Sequence, residues 1–182
     1  DTSTVWNHQW RAHGSQPGYG VKQSSQFLIS KSTDDGLTWS EPRNITRQVK
    51  KEKWWLLAPG PGRGITMEDG TLVFPVEGRN EDGLQFSTIM WSKDKGENWT
   101  VGEPAYYNTN ECQVVELSDH SLMLNMRERS NRGRQEGNGR AIAVTADLGK
   151  TWTEHPTSRR ALIEPACQAS LLRHDYIEDG EE

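Results

Sequence analysis

Ser32-Thr33-Asp34-Asp35-Gly36-Leu37-Thr38-Trp39 decides how this chain is read, because the pattern returns twice. It stands again at Ser92-Lys93-Asp94-Lys95-Gly96-Glu97-Asn98-Trp99 and at Thr145-Ala146-Asp147-Leu148-Gly149-Lys150-Thr151-Trp152. The shared form is S/T-x-D-x-G-x-T-W, with Asn98 the single departure at the threonine position. It describes a stiff hairpin turn. An Asp side chain accepts hydrogen bonds from backbone N–H groups of its own turn, and Gly permits a positive φ. The Ser or Thr ends one strand; the Trp opens the next and buries a large ring. One copy would be weak evidence, but three make chance a poor explanation.

The Asp residues of successive copies are 60 and 53 positions apart. A four-stranded propeller blade runs ~40–50 residues in the commoner repeat families, so each interval is about one blade with generous loops. A β-like run precedes each turn, at 26–30, 86–91 and 140–144. Further strands are expected at 71–76, 113–117, 121–126 and 169–172, several with the alternation of half-buried strands. Gly-Pro punctuation over 59–64 and the Asp-Gly pairs 69–70 and 82–83 mark turns. No amphipathic helix and no linker stand out. The expectation is an all-β β-propeller of which about three blades lie in residues 1–182, with no internal domain boundary. Three blades cannot close a ring. The strand-like stretch 2–10 and the turn-like 177–182 suggest further blades on both sides.

Bulk properties agree with short strands and many turns. Hydrophobic residues make up only 32%, yet eight Trp are spread along the chain, which argues against disorder. The net charge is −5, with no basic run of the length nucleic acid requires. Lys50, Lys51 and Lys53 read as a solvated cluster, as do the arginines over 127–134. Nothing approaches the ~20 apolar residues of a membrane span. Cys112 and Cys167 read as buried small residues in strands. No metal-ligand spacing is present among the five His and two Cys. Trp54 and Trp55 read as loop packing rather than a sugar platform.

The repeated turn resembles the Asp box, which occurs in sialidases and in other propellers, and so speaks to fold before function. The segments between the boxes are more specific. Residues 26–31 with 39–46 resemble the first-box region of exo-α-sialidases, and the loop 59–65 follows at the expected distance. Asn110-Glu111-Cys112-Gln113-Val114-Val115-Glu116-Leu117 resembles the segment carrying the acidic partner of a catalytic tyrosine. Leu124-Asn125-Met126-Arg127-Glu128 resembles the strand end carrying the middle arginine of a triad. Glu164-Pro165-Ala166-Cys167-Gln168-Ala169-Ser170 resembles a lead-in to the next blade. The likeness covers nearly the whole chain, is nearest to secreted bacterial gut-type sialidases, and implies that the all-β propeller is a six-bladed β-propeller.

The chemistry explains those residue types. Sialic acid carries a carboxylate on its anomeric carbon, and Arg binds carboxylates bidentately where Lys does not. That charge repels a carboxylate nucleophile, and sialidases use Tyr instead. A phenol with a pKa near ~10 needs a base close by. The resemblance implies that Glu111 is that base and that Arg127 holds the substrate carboxylate. Gln168 and Arg63 are weaker candidates for lining the pocket. Without it, Glu111 reads as an edge carboxylate, Arg127 and Arg63 as surface arginines, and Gln168 as a strand-end amide. Asp34, Gly36, Trp39, Asp94, Gly96, Trp99, Asp147, Gly149 and Trp152 are structural.

The family also needs a first arginine and an acid/base aspartate, expected before Asp1, and a third arginine and the nucleophilic tyrosine, expected beyond Glu182. Tyr19, Tyr106, Tyr107 and Tyr176 do not match the nucleophile's setting. The resemblance thus implies retaining hydrolysis of terminal sialic acid from glycans or glycoproteins, with no metal or cofactor, only part of the active site being in this chain. It implies a secreted, periplasmic or cell-surface setting. The alternative is a non-catalytic Asp-box propeller or fragment that binds glycan or protein.

Overall fold

Antiparallel pairing, mostly between sequence neighbours, builds the sheets of the computed structural model, which describes residues 15–164 and 166–175. The strand-like stretch 2–10, Tyr176 and the turn at 177–182 lie outside the described residues. Strands β1 (Leu28–Ile29) and β2 (Arg43–Asn44) form a two-stranded pair, followed by one helical turn, α1 (Thr46–Val49). A second sheet follows. Its first edge is β3 (Leu56–Pro59) and β4 (Ile65–Thr66), which pair with opposite ends of β5 (Leu72–Arg79). β5 pairs with β6 (Gln85–Ser92) along its full length. β7 (Thr100–Val101) and β8 (Tyr106–Tyr107) share the far side of β6. The third sheet runs β9 (Thr109–Glu116), β10 (Leu122–Glu128), β11 (Ala141–Thr145) and β12 (Thr153–Glu154) in strict sequence order.

Among the described residues this amounts to two sheets of four strand positions and the outer pair of another, rather than three complete blades. Every Asp box occupies the same place, the hairpin before the outermost paired strand: β1 to β2, β6 to β7, and β11 to β12. The three turns repeat the same bonds. Asp34 Oδ1 accepts from Thr38 N–H, Asp94 Oδ1 from Asn98 N–H and Asp147 Oδ1 from Thr151 N–H, at 2.9, 2.8 and 2.9 Å. Ser32, Ser92 and Thr145 hydroxyls accept from the Gly N–H. Asn98 replaces threonine without loss, because its Nδ2 donates to Asp94 Oδ2 as the Thr hydroxyls do. The residue before each Gly is also left-handed: Asp35, Lys95 and Leu148 have φ of 57, 58 and 56°. Two successive positive φ values are what a type I′ turn requires, and that turn matches strand twist.

Packing is sheet against sheet. Phe27, Ile45, Val49 and Trp54 meet Leu57, Val76, Phe86, Met90 and Trp99 in one core cluster. Met67, Val73 and Ile89 meet Cys112, Val114, Leu122, Leu124, Met126, Ala141 and Ala143 in the other. The middle sheet is therefore covered on both faces, which is why the burial pattern of β6 does not alternate.

Four expectations are corrected. Trp99 is 4% exposed, but Trp39 is 65% exposed. Trp99 joins the cluster built on Ile45 and Val49, and Trp152 donates to Glu103 O; each rests on the preceding sheet. Among the described residues no sheet precedes Trp39. Residues 169–172 form no strand, having no ladder partner among the described residues. Cys167 is exposed and outside any strand, whereas Cys112 is fully buried, its thiol pKa pushed up to about 12 by burial. Lys50 is not solvated: it is 2% exposed, donates to Ser24 Oγ and lies under the Tyr19 ring, and burial pushes its pKa down. Lys51 and Lys53 pair with Glu103 and Glu81 as surface residues do. Trp54 is buried and packs on Phe86, centroids 4.6 Å apart.

Candidate active site

Glu111 and Arg127 come together at one end of the third sheet. Arg127 lies near the end of β10, where the strand runs into a 3-10 turn, Arg129–Asn131. Glu111 sits near the start of β9, directly across the pairing. The ladder aligns Asn125 with Gln113 and Arg127 with Asn110, so Glu111 and Cys112 together oppose Met126. That is a β-bulge, a device that re-aims side chains. Glu111 adopts a φ of 37°, a left-handed value unusual for a non-glycine residue. The result is an ion pair, Arg127 Nη1 to Glu111 Oε1 at 2.8 Å, with both side chains partly exposed at 23% and 30%. Arg127 Nε is buried without an acceptor among the described residues, so the guanidinium is under-satisfied.

A second carboxylate, which sequence reasoning missed, stands behind the pair. Glu77 of β5 accepts the Glu111 N–H at its Oε2, 2.8 Å away. Burial pushes the Glu77 carboxyl above its ordinary range and the Glu111 charge adds to this, while the Glu111 N–H bond and Arg127 oppose it. Its only sequence signal was position: alternation in β5 turns Val76 into the core and leaves Glu77 half-buried.

The glycine-proline loop between β3 and β4 leans on the same strand. A Cβ on Gly60 would stand 2.8 Å from the Cys112 carbonyl oxygen. Gln113 Nε2 donates to Pro61 O, closing the loop onto β9. The weaker candidates are placed elsewhere. Arg63 is exposed and lines a cavity of about 250 Å³ with Ile65, Thr66, Glu116 and Arg173; Glu111 and Arg127 are not in that lining. Gln168 is exposed, next to Cys167, whose carbonyl accepts from Arg140. Tyr19 donates to Lys50 O and Tyr106 lies under the Arg159 guanidinium, so neither is engaged with Glu111. Among the described residues no three His, Cys, Asp or Glu side chains form a group that could hold a metal.

A Glu–Arg pair at one end of a sheet, with the Asp-box hairpin between β11 and β12 at the opposite end of that sheet, fits the sialidase-type class of BNR-repeat proteins. Comparison with known proteins agrees. The BNR repeat-like domain matches residues 5–181. A sialidase of Bacteroides fragilis is 49% identical over 94% of this chain and 32% of its own length. Hadza microbial sialidase Hz136 superposes with a TM-score of 0.79 at 47% identity, over 87% of this chain and 30% of that one. Trypanosoma rangeli sialidase, in a complex with 2,3-difluorosialic acid described as a covalent intermediate, gives 0.53 at 25% identity over 71% of this chain and 21% of its own. The chain belongs to the sialidase family, and it spans about a third of the length of its Bacteroides relative.

Proposed function

We propose that the full-length protein is an exo-α-sialidase that removes terminal sialic acid from glycoconjugates with retention of configuration, acting outside the cytoplasm. The observation that carries this is the 2.8 Å pairing of Glu111 with Arg127 at the end of one sheet. The covalent intermediate described for the Trypanosoma rangeli relative supports the retaining route. Arg127 binds the substrate carboxylate. Glu111 takes the proton from a tyrosine hydroxyl as that oxygen bonds to the anomeric carbon and the bond to the aglycone oxygen breaks, the aglycone leaving with a proton from the acid/base aspartate. Water, deprotonated by that aspartate, then cleaves the glycosyl-tyrosine, and the phenolate regains its proton from Glu111. The tyrosine, two further arginines and an acid/base aspartate come from parts of the protein outside residues 1–182, within a six-bladed ring. A fluorogenic sialoside tests this: the full-length protein cleaves it, and residues 1–182 alone do not. Robust turnover by the isolated 182 residues would overturn the division of the site.

A further inference from the structure

We infer that Glu77 is a positioning residue that holds Glu111 in its working geometry; this rests on the sialidase reading for its catalytic meaning. Three observations carry it. The bulge opposite Met126 takes the Glu111 N–H out of the β9–β10 ladder. A part-buried N–H is costly to leave without an acceptor, and Glu77 Oε2 supplies one at 2.8 Å. Glu111 is held at a φ of 37°, which persists only where its surroundings enforce it.

The acceptor comes from a different sheet. Glu77 is on β5, where it pairs with Ala58 and Ser87, and β5 packs against β9. The middle sheet thus sets the backbone of the third at the residue whose side chain meets Arg127. A carboxylate suits the place because it accepts and does not donate when ionised, so it does not compete for the Glu111 carboxylate. Arg127 favours the charged form of Glu77, while burial, the larger influence, raises its pKa. Glu77 touches no reacting atom in this scheme and acts through Glu111.

The test uses the full-length protein with Glu77→Leu and Glu77→Gln. Leucine removes the acceptor; glutamine keeps a carbonyl that can accept the same N–H. For Glu77→Leu the expected result is a loss of roughly 100-fold in kcat with KM held within about twofold, the scale of a misplaced catalytic group. Glu77→Gln keeps kcat within roughly tenfold of wild type, since the hydrogen bond survives. Hydrogen exchange at the Glu111 amide is slow in wild type and Glu77→Gln and fast in Glu77→Leu. Unchanged kcat in Glu77→Leu, or a raised KM with kcat unchanged, overturns the inference, as does unaltered exchange at Glu111. If Glu77→Leu does not fold, a folded Glu77→Gln with a fast-exchanging Glu111 amide overturns it. If wild type cleaves no sialoside, the sialidase reading fails by itself, and amide exchange still decides whether Glu77 holds Glu111.

Discussion

Arg140 Nη1 lies 2.7 Å from Glu164 Oε2, and the two side chains are 5% and 2% exposed. The pair is a bracket around the Arg127 end of β10. Arg140 Nε donates to Asn125 Oδ1, and Glu164 Oε1 accepts from the Glu128 N–H at 2.7 Å and from Asn131 Nδ2 at 3.0 Å. Asn125 and Glu128 flank Met126 and Arg127, so the network clamps both sides of the bulge. Removing one partner strands a buried charge. Glu164→Ala is expected to destabilise the fold by about 3–5 kcal/mol, read as a fall in denaturant midpoint. Arg140→Met with Glu164→Leu, which removes both charges, should recover part of that loss, the Glu128 N–H and Asn125 Oδ1 still losing these partners.

Arg127 and Glu111 should fail in different ways. Arg127→Ala in the full-length protein is expected mainly to raise KM for a sialoside, because it removes carboxylate binding. Arg127→Lys should not restore it, since lysine lacks the planar fork. Glu111→Gln is expected mainly to lower kcat. Steady-state kinetics of the three variants decide it; wild-type values in all three would sink the site assignment.

Acid should protonate the Asp boxes only after ordinary surface carboxylates, because the box carboxyls are held lower. Backbone and side-chain hydrogen bonds from Asn98 and from Thr151 hold the Asp94 and Asp147 carboxyls down to about 2, and the Thr38 side chain chiefly lowers Asp34. A depressed folded-state pKa contributes stability that is complete above the unfolded value near ~4 and is lost as pH falls through the folded one. Stability should therefore decline between about pH 4 and pH 2. Asp94→Asn should flatten that decline, measured as unfolding midpoint against pH.

Trp39 and Trp99 hold equivalent places in their turns and differ in exposure, 65% against 4%. Trp99→Ala is expected to cost about 3–5 kcal/mol. In a closed ring another sheet covers Trp39, and Trp39→Ala in the full-length protein should then cost a similar amount. A neutral Trp39→Ala would argue against a preceding blade.

Gly60 is where the loop between β3 and β4 touches β9. Gly60→Ala would put a methyl 2.8 Å from Cys112 O, backbone against backbone, so the loop must move away from the residue next to Glu111. Lower sialoside turnover is expected together with some loss of thermal stability, because Gly60 is buried between β9 and β5 and has no room for the methyl.

The Asp boxes were legible because they are local. Ser32, Asp34, Gly36 and Thr38 bond to one another within one turn, so residue type and spacing alone dictate the hairpin. The strands around 71–76, 86–91, 113–117 and 121–126 were legible for the same reason. Glu111 and Arg127 were legible only through their likeness to a known family, and nothing in their spacing of 16 residues required contact. Residues 169–172 read as a strand from composition alone, which says nothing about whether a ladder partner is present. Trp39 and Trp152 read alike, yet burial depends on the neighbouring sheet. The turn, the strand alternation and the family follow from residue order. The bulge that pairs Glu111 with Arg127, the reach of Glu77 across 34 residues to the Glu111 N–H, and the Arg140–Glu164 clamp do not. Those depend on how one sheet packs against the next, and sheet packing brings together residues that no local pattern connects.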